Sequence, residues 1–148
     1  MKLTTRRIGQ QFEFLHYPPD DPEEFEIMKT HTTLGHSAIE NAERQLGITV
    51  EFLACAKEIA LSHHEKWDGS GYPAGLAGHS IPISARLMAV ADVYDALTSR
   101  RVYKDAMGHD EAVAIITEGR GQHFDPAVVD AFAAITGEFE AIARRYAD

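Results

Sequence analysis

Two adjacent histidines, His63 and His64, run into Glu65 and then into Asp68-Gly69-Ser70-Gly71-Tyr72-Pro73. These are the residues of the chain best suited to chemistry. Neutral imidazole nitrogen is a ligand that first-row transition metals take readily. The run from Asp68 to Pro73 is a glycine-rich, proline-stopped turn that forces the chain out of a helix. The combination points to a metal site at a helix end, roofed by a rigid loop. Adjacent residues on a helix point about 100° apart. From an unbroken helix the pair would therefore serve two neighbouring ions, or one imidazole would bind metal and the other substrate.

Asp92 is the next candidate, because it stands in Leu87-Met88-Ala89-Val90-Ala91-Asp92-Val93-Tyr94. A carboxylate in such an apolar context must be paired or bound to metal if it is buried. Its bland alternative is a buried ion pair with Arg86 or Arg101. Asp95, three residues on, shares that helix face and could be a second carboxylate of the site or orient a histidine from behind. His31 lies in Met28-Lys29-Thr30-His31-Thr32. A single helical histidine is more often a packed or surface residue than a ligand, and the same holds for His16, His36, His79 and His109. Arg100, Arg101 and Lys104 could hold phosphate oxygens, or merely complement a helix C-terminus.

The elements that must position these residues read as helices. Asp21 is a natural N-cap with Pro22 at the first helical position, and a helix is expected from there to about residue 45. Leu46-Gly47-Ile48-Thr49 is a stop and restart. A second helix is expected over 50–64, with Phe52, Leu53, Ala56, Ile59 and Ala60 inward and the histidine pair at its end. Residues 65–81 form a long ordered loop, the kind that usually carries function. A third helix follows over 82–99, with Ile83, Leu87, Val90, Ala91, Tyr94 and Leu97 as its apolar stripe. Two more cover 109–119 and 126–146, separated by Gly121-Gln122-His123-Phe124-Asp125-Pro126. No period-2 segment stands out, so the fold class is all-α, a helical bundle.

Composition sets the outer limits. The 148 residues are read as a single domain, 1–148, with an atypical N-terminal segment over 1–21. The net charge of −9 excludes a nucleic-acid polymer as the main ligand, though not a small phosphorylated one. No apolar run approaches the roughly 20 residues of a membrane span, and no signal-peptide core follows Lys2, Arg6 and Arg7. The single cysteine, Cys55, excludes an internal disulfide. A cytoplasmic protein is expected.

Taken in order, the motifs resemble the HD-GYP domain, a branch of the HD superfamily of metal-dependent phosphohydrolases. The resemblance rests on Glu24 to His31, on His63-His64-Glu65-Lys66-Trp67-Asp68-Gly69-Ser70-Gly71-Tyr72-Pro73-Ala74-Gly75-Leu76, and on Val90 to Thr98. It continues through Arg101-Val102-Tyr103-Lys104 and Gly121 to Pro126, and covers a core over 22–135. It implies a helical bundle holding two or three ions, usually iron or manganese, that hydrolyses cyclic di-GMP. It also implies His31, His63, His64 and Asp92 as metal ligands, with Asp95 supporting them. Arg101 and Lys104 would hold substrate phosphate, and Tyr72 and Pro73 would shape the loop beside the site, with Tyr72 against substrate; in a non-catalytic module Gly71, Tyr72 and Pro73 would instead meet a signalling partner.

The sequence departs from the family at its front. The His-Asp pair that names the family would fall at Met1 to Leu3, and no such pair stands there. His16, Asp20 and Asp21 are replacement ligands only by proximity in sequence. One ion or none is therefore expected, and a weak or inactive hydrolase. The alternative is a non-catalytic module that binds a cyclic dinucleotide, its product, or a signalling protein. Without the front helices, apolar surface must be covered by residues 3–17, by a partner or by a second copy. A homodimer is expected, and light scattering at micromolar concentration should return twice the 16.4 kDa chain mass; a monomer mass would overturn it.

Overall fold

The computed structural model describes residues 21–100 and 105–147. These are helical, with no strand among them beyond a lone bridge between Arg120 and Phe124. In chain order the helices are α1 (Pro22–Lys29), α2 (His31–Leu46), α3 (Glu51–Ser62), α4 (Ile83–Thr98), α5 (His109–Glu118), α6 (Pro126–Ala134) and α7 (Thr136–Arg145). A 3-10 turn, Gly78–Ser80, lies in the loop before α4. The all-α class is as the periodicity indicated. No described helix is long and apolar enough to cross a membrane. The chain divides into two compact units, one ending at Ala89 and the other containing the residues from Val90 onward, so the division falls within α4.

In the first unit Asp21 caps α1, accepting from Glu23 N at 2.9 Å and Glu24 N at 3.4 Å, with Pro22 at the first helical position. The expected single helix from 22 to 45 is interrupted at Thr30. The cause is a run of side chains that bond back to carbonyls of the preceding turn. Thr30 Oγ1 donates to Ile27 O at 2.6 Å, His31 Nδ1 meets Met28 O at 2.7 Å, and Thr32 Oγ1 donates to Lys29 O at 2.9 Å. Such bonds compete with the helical ladder. Gly47 ends α2 with φ of 64°, a left-handed cap that glycine adopts without a Cβ penalty.

The helices α2 and α3 pack closely where a Cβ on Gly35 would lie 3.5 Å from the Ala60 Cβ. They are also joined by an ion pair from Lys57 to the buried Glu43. Phe52, expected inward, is instead 75% exposed. It belongs to the first turns of α3, where Glu51, Ala54 and Cys55 are exposed as well, so apart from Leu53 burial begins at Ala56. The stripe expected on α4 is likewise corrected in its first half. Ile83 and Leu87 are exposed, and the small residues Ala85 and Ala89 take the buried side.

The second unit holds most of the apolar core: Val90, Val93, Leu97, Ala112, Ile116, Phe124, Val128 and Val129 are all buried. Tyr94 sits edge-on to Phe132 and Phe139 with ring centroids 6.0 and 5.2 Å away, a favourable aromatic geometry. Burial and the Glu140 carboxylate raise the Tyr94 phenol above its ordinary pKa, partly offset by Arg144. Its hydroxyl lies 2.8 Å from His109 Nδ1. The expected helix over 126–146 is two helices, broken at Ile135, whose φ of −129° leaves the helical region. At the start of α6 Asp125 caps Ala127 N at 2.8 Å, with Pro126 at the first position. Arg120 bonds Asp130 through two nitrogens at 2.8 Å, and those bonds hold the Asp130 carboxyl below its usual range.

Gly119 shows how tight this core is. A Cβ there would fall 2.8 Å from the Phe124 ring, and that ring is 1% exposed. Overpacking of this kind costs about 1–3 kcal/mol. Gly119→Ala should lower the thermal midpoint of the helical circular-dichroism signal accordingly; an unchanged midpoint would mean that Phe124 moves freely.

Candidate metal centre

The sequence places His31 just after the break at Thr30, and His63 and His64 just after α3. The structure brings the three together: one potential ligand atom from each lies within 4.8 Å of the other two. The ring centroids of His31 are 5.5 Å from His63 and 5.0 Å from His64, and those of His63 and His64 are 4.1 Å apart. Two nitrogens on one ion at about 2.1 Å are at most about 4.2 Å apart. Three nitrogens sharing one ion lie closer, about 3.4 Å apart in a tetrahedral set, so side-chain adjustment on the order of an ångström would seat all three on a single ion.

The expectation that neighbouring histidines diverge by 100° fails for a simple reason. The helix α3 ends at Ser62, and His63 is its C-cap. Glu65 N bonds Ser62 O at 3.0 Å, a tight turn in place of the next helical step. His64 is thus outside the helix, and the two rings tilt by 45°.

Two of the rings are set in orientation by the backbone. His63 Nδ1 is 2.8 Å from Ile59 O, and His31 Nδ1 is 2.7 Å from Met28 O. A carbonyl oxygen can only accept, so Nδ1 must carry the hydrogen in both rings. Any lone pair is then on Nε2. Metal-bound histidines generally have this arrangement, with the other ring N–H donated to a carbonyl or carboxylate. His31 is exposed whereas His63 and His64 are half-buried, so the cluster opens on the His31 side. The donor set suits a borderline divalent transition ion.

The loop is held over this cluster by a residue whose role its sequence context did not reveal. Glu65 is 2% exposed, and its two oxygens accept from Ala74 N at 2.7 Å and Leu76 N at 2.9 Å. A glutamate in a polar loop ordinarily reads as solvated; only its place directly after the histidine pair hinted otherwise. Gly71 lies against the same turn. A Cβ on it would come within 2.4 Å of Lys66 N, 2.5 Å of His64 O and 2.6 Å of Glu65 Cα. Tyr72 N then bonds His64 O at 3.2 Å, and the Tyr72 ring stacks on His64 at 4.9 Å and 18°. Asp68 Oδ1 accepts from Ser70 N and Oγ, closing the turn between. Trp67 O accepts from Gly78 N at 2.9 Å, and Arg86 Nε donates to Ile81 O where the loop ends.

Asp92 is half-buried on α4, within the unit that begins at Val90. Asp95 is exposed and accepts from Ser99 Oγ at 3.2 Å. Arg100 is exposed and 4.0 Å from Asp105. Arg101, Lys104, His16 and Asp20 lie outside the described residues. Asp21 serves as the cap of α1. His36 lies 3.4 Å from Lys57 O, and His79 meets Trp67 edge-on. The chain's one His-Asp dipeptide, His109-Asp110, opens α5 in the second unit, with its imidazole on Tyr94.

Residues 20–128 match the family model of the HD domain, and the chain belongs to that family. Among characterised relatives, it is 64% identical to a cyclic di-GMP phosphodiesterase of Vibrio cholerae over 85% of this chain and 25% of that protein. It is 45% identical to a cyclic di-GMP phosphodiesterase of Thermotoga maritima over 86% of this chain and 33% of the relative. A 3'3'-cGAMP-specific phosphodiesterase of Vibrio cholerae is 42% identical over 86% of this chain and 24% of its own length. The chain thus spans about a quarter to a third of the relatives it matches.

Glu65→Gln would replace one acceptor by an NH2 facing a backbone N–H. It should destabilise the chain by roughly 2 kcal/mol, the scale of a hydrogen bond to a charged group, and expose Lys66 to trypsin. Gly71→Ala, facing backbone atoms that cannot swing aside, should do the same. Wild-type melting and cleavage in both variants would show that the loop is held by other contacts.

Proposed function

We propose that this chain is the metal-binding core of an HD-type cyclic-dinucleotide phosphodiesterase. His31, His63, His64 and Asp92 are its ligands for a divalent iron or manganese ion. The observation that carries the reading is the cluster of His31, His63 and His64, two of whose imidazoles are bonded to carbonyls through Nδ1 and so keep Nε2 for a ligand. A divalent ion held there supplies charge neutralisation at a phosphodiester and acidifies bound water. The chain's own residues do the rest. Glu65 fixes the loop, Tyr72 holds His64 in place and borders the substrate, and Asp95 supports the ligand set. Arg101 and Lys104 bind phosphate oxygens. The relatives act on cyclic di-GMP or 3'3'-cGAMP, and the substrate class proposed is a cyclic purine dinucleotide.

No His-Asp pair precedes His31 in these residues. The bridging carboxylate that a two-ion centre needs is therefore missing from this set, and turnover by these residues alone should be weak or absent while metal and nucleotide binding persist. A second reading is favoured by the exposure of Pro73, Ala74 and Gly75 at the loop tip. There the chain would dock a signalling protein through Gly71-Tyr72-Pro73, and that reading predicts partner binding by metal-free protein.

Metal content by mass spectrometry, on protein purified without chelator, tests the proposal. One iron or manganese per chain is expected. His31→Ala, His63→Ala and His64→Ala should each weaken manganese binding by more than the tenfold to hundredfold typical of losing an outer-shell partner. Metal-free wild-type protein that takes up no manganese on titration would overturn the assignment.

A further inference from the structure

Resting on the phosphodiesterase reading, we infer that Lys29 recognises the second phosphate of a cyclic dinucleotide whose first phosphate is held at the histidine cluster. Lys29 is in the last turn of α1, two residues before His31. Its Nζ lies 4.9 Å from the Phe25 ring centroid and 5.7 Å from that of Tyr72. Both are within cation–π range. The Tyr72 ring is in turn stacked on His64, and Phe25 meets it edge-on at 6.4 Å. A positive charge therefore sits one aromatic ring away from a candidate metal ligand, on the rings that border the cluster.

The position fits the chemistry of the substrate class. A cyclic dinucleotide carries two phosphodiesters separated by a ribose, and a single metal site neutralises only one. The cluster opens on the His31 side, and Lys29 belongs to the same α1–α2 junction. Its present partner is Glu26 Oε1 at 2.7 Å, with Glu26 69% exposed. An exposed pair of this spacing is weak, so a phosphate can replace it at little cost. Lys29 Nζ already lies over the Phe25 and Tyr72 rings, and a charge placed in advance loses less entropy on binding.

The test is calorimetric binding of cyclic di-GMP and of bis(p-nitrophenyl) phosphate to the manganese-loaded full chain. Lys29→Met keeps the apolar stem and removes the charge; Lys29→Arg keeps both. Lys29→Met should weaken cyclic di-GMP binding by about ten- to a hundredfold, the scale of one charged hydrogen bond. It should leave manganese content and binding of the single-phosphate diester unchanged, and Lys29→Arg should restore most of the loss. Equal affinity of wild type and Lys29→Met for cyclic di-GMP would overturn the assignment and leave the metal reading standing. Parallel loss of both ligands would reduce Lys29 to a support for the Tyr72 ring. Wild-type protein that binds manganese but no cyclic di-GMP would overturn this inference and the substrate reading together.

Discussion

The buried carboxylate of Glu65 is the interaction on which the candidate site depends. A charged group at 2% exposure is costly unless its oxygens are satisfied. Here both accept backbone N–H groups from the far side of the loop, at Ala74 and Leu76. Hydrogen bonds to an ionised acceptor are the strong kind, and these two span nine and eleven residues of chain. They fold the loop back on its own beginning. That closure puts Gly71 against the backbone of His64 and Glu65, where no side chain fits, and it puts the Tyr72 ring on the His64 ring. The loop is thus long but not slack, and its order follows from one side chain that immediately succeeds the two histidines.

The histidine cluster follows from how helices end. Within a helix His63 and His64 would diverge, and their convergence with His31 requires α3 to stop at Ser62. Ile59 O accepts both the backbone N–H of His63, the last step of the helical ladder, and the His63 ring. On the other side, the break at Thr30 lets Met28 O accept from the His31 ring. Two helix discontinuities therefore do two jobs each. They aim the rings, and they fix which nitrogen is left to bind a metal.

Much of this was legible in the sequence, and the rest was hidden for definite reasons. Asp21-Pro22, Gly47 and Asp125-Pro126 mark their helix ends as capping chemistry requires. The histidine pair stands at the end of its helix, as the glycine-rich turn behind it indicates. The break at Thr30 was not legible, since Thr30, His31 and Thr32 look like ordinary helix residues until their side chains are seen to bond backwards. Nor was the exposure of Ile83 and Leu87, because periodicity reports an apolar face and not whether anything covers it. Glu65 escaped notice because residue type alone does not distinguish a solvated carboxylate from a buried one.

Charge explains why such a site needs both a metal and nearby cations. The chain carries −9 overall, and a cyclic dinucleotide is a dianion, so the average field opposes binding. Three imidazoles contribute no charge when neutral, so a divalent ion held by them would keep most of its positive charge for the ligand. The general negative charge is dispersed over the surface and screened within about 8 Å at physiological ionic strength. Contacts at the histidine cluster and at Lys29, whose Nζ lies over the Phe25 and Tyr72 rings, would act inside that distance. An acidic protein can therefore hold a small phosphorylated ligand while repelling long polyanions, because the attraction is confined to one opening and the repulsion is spread over everything around it.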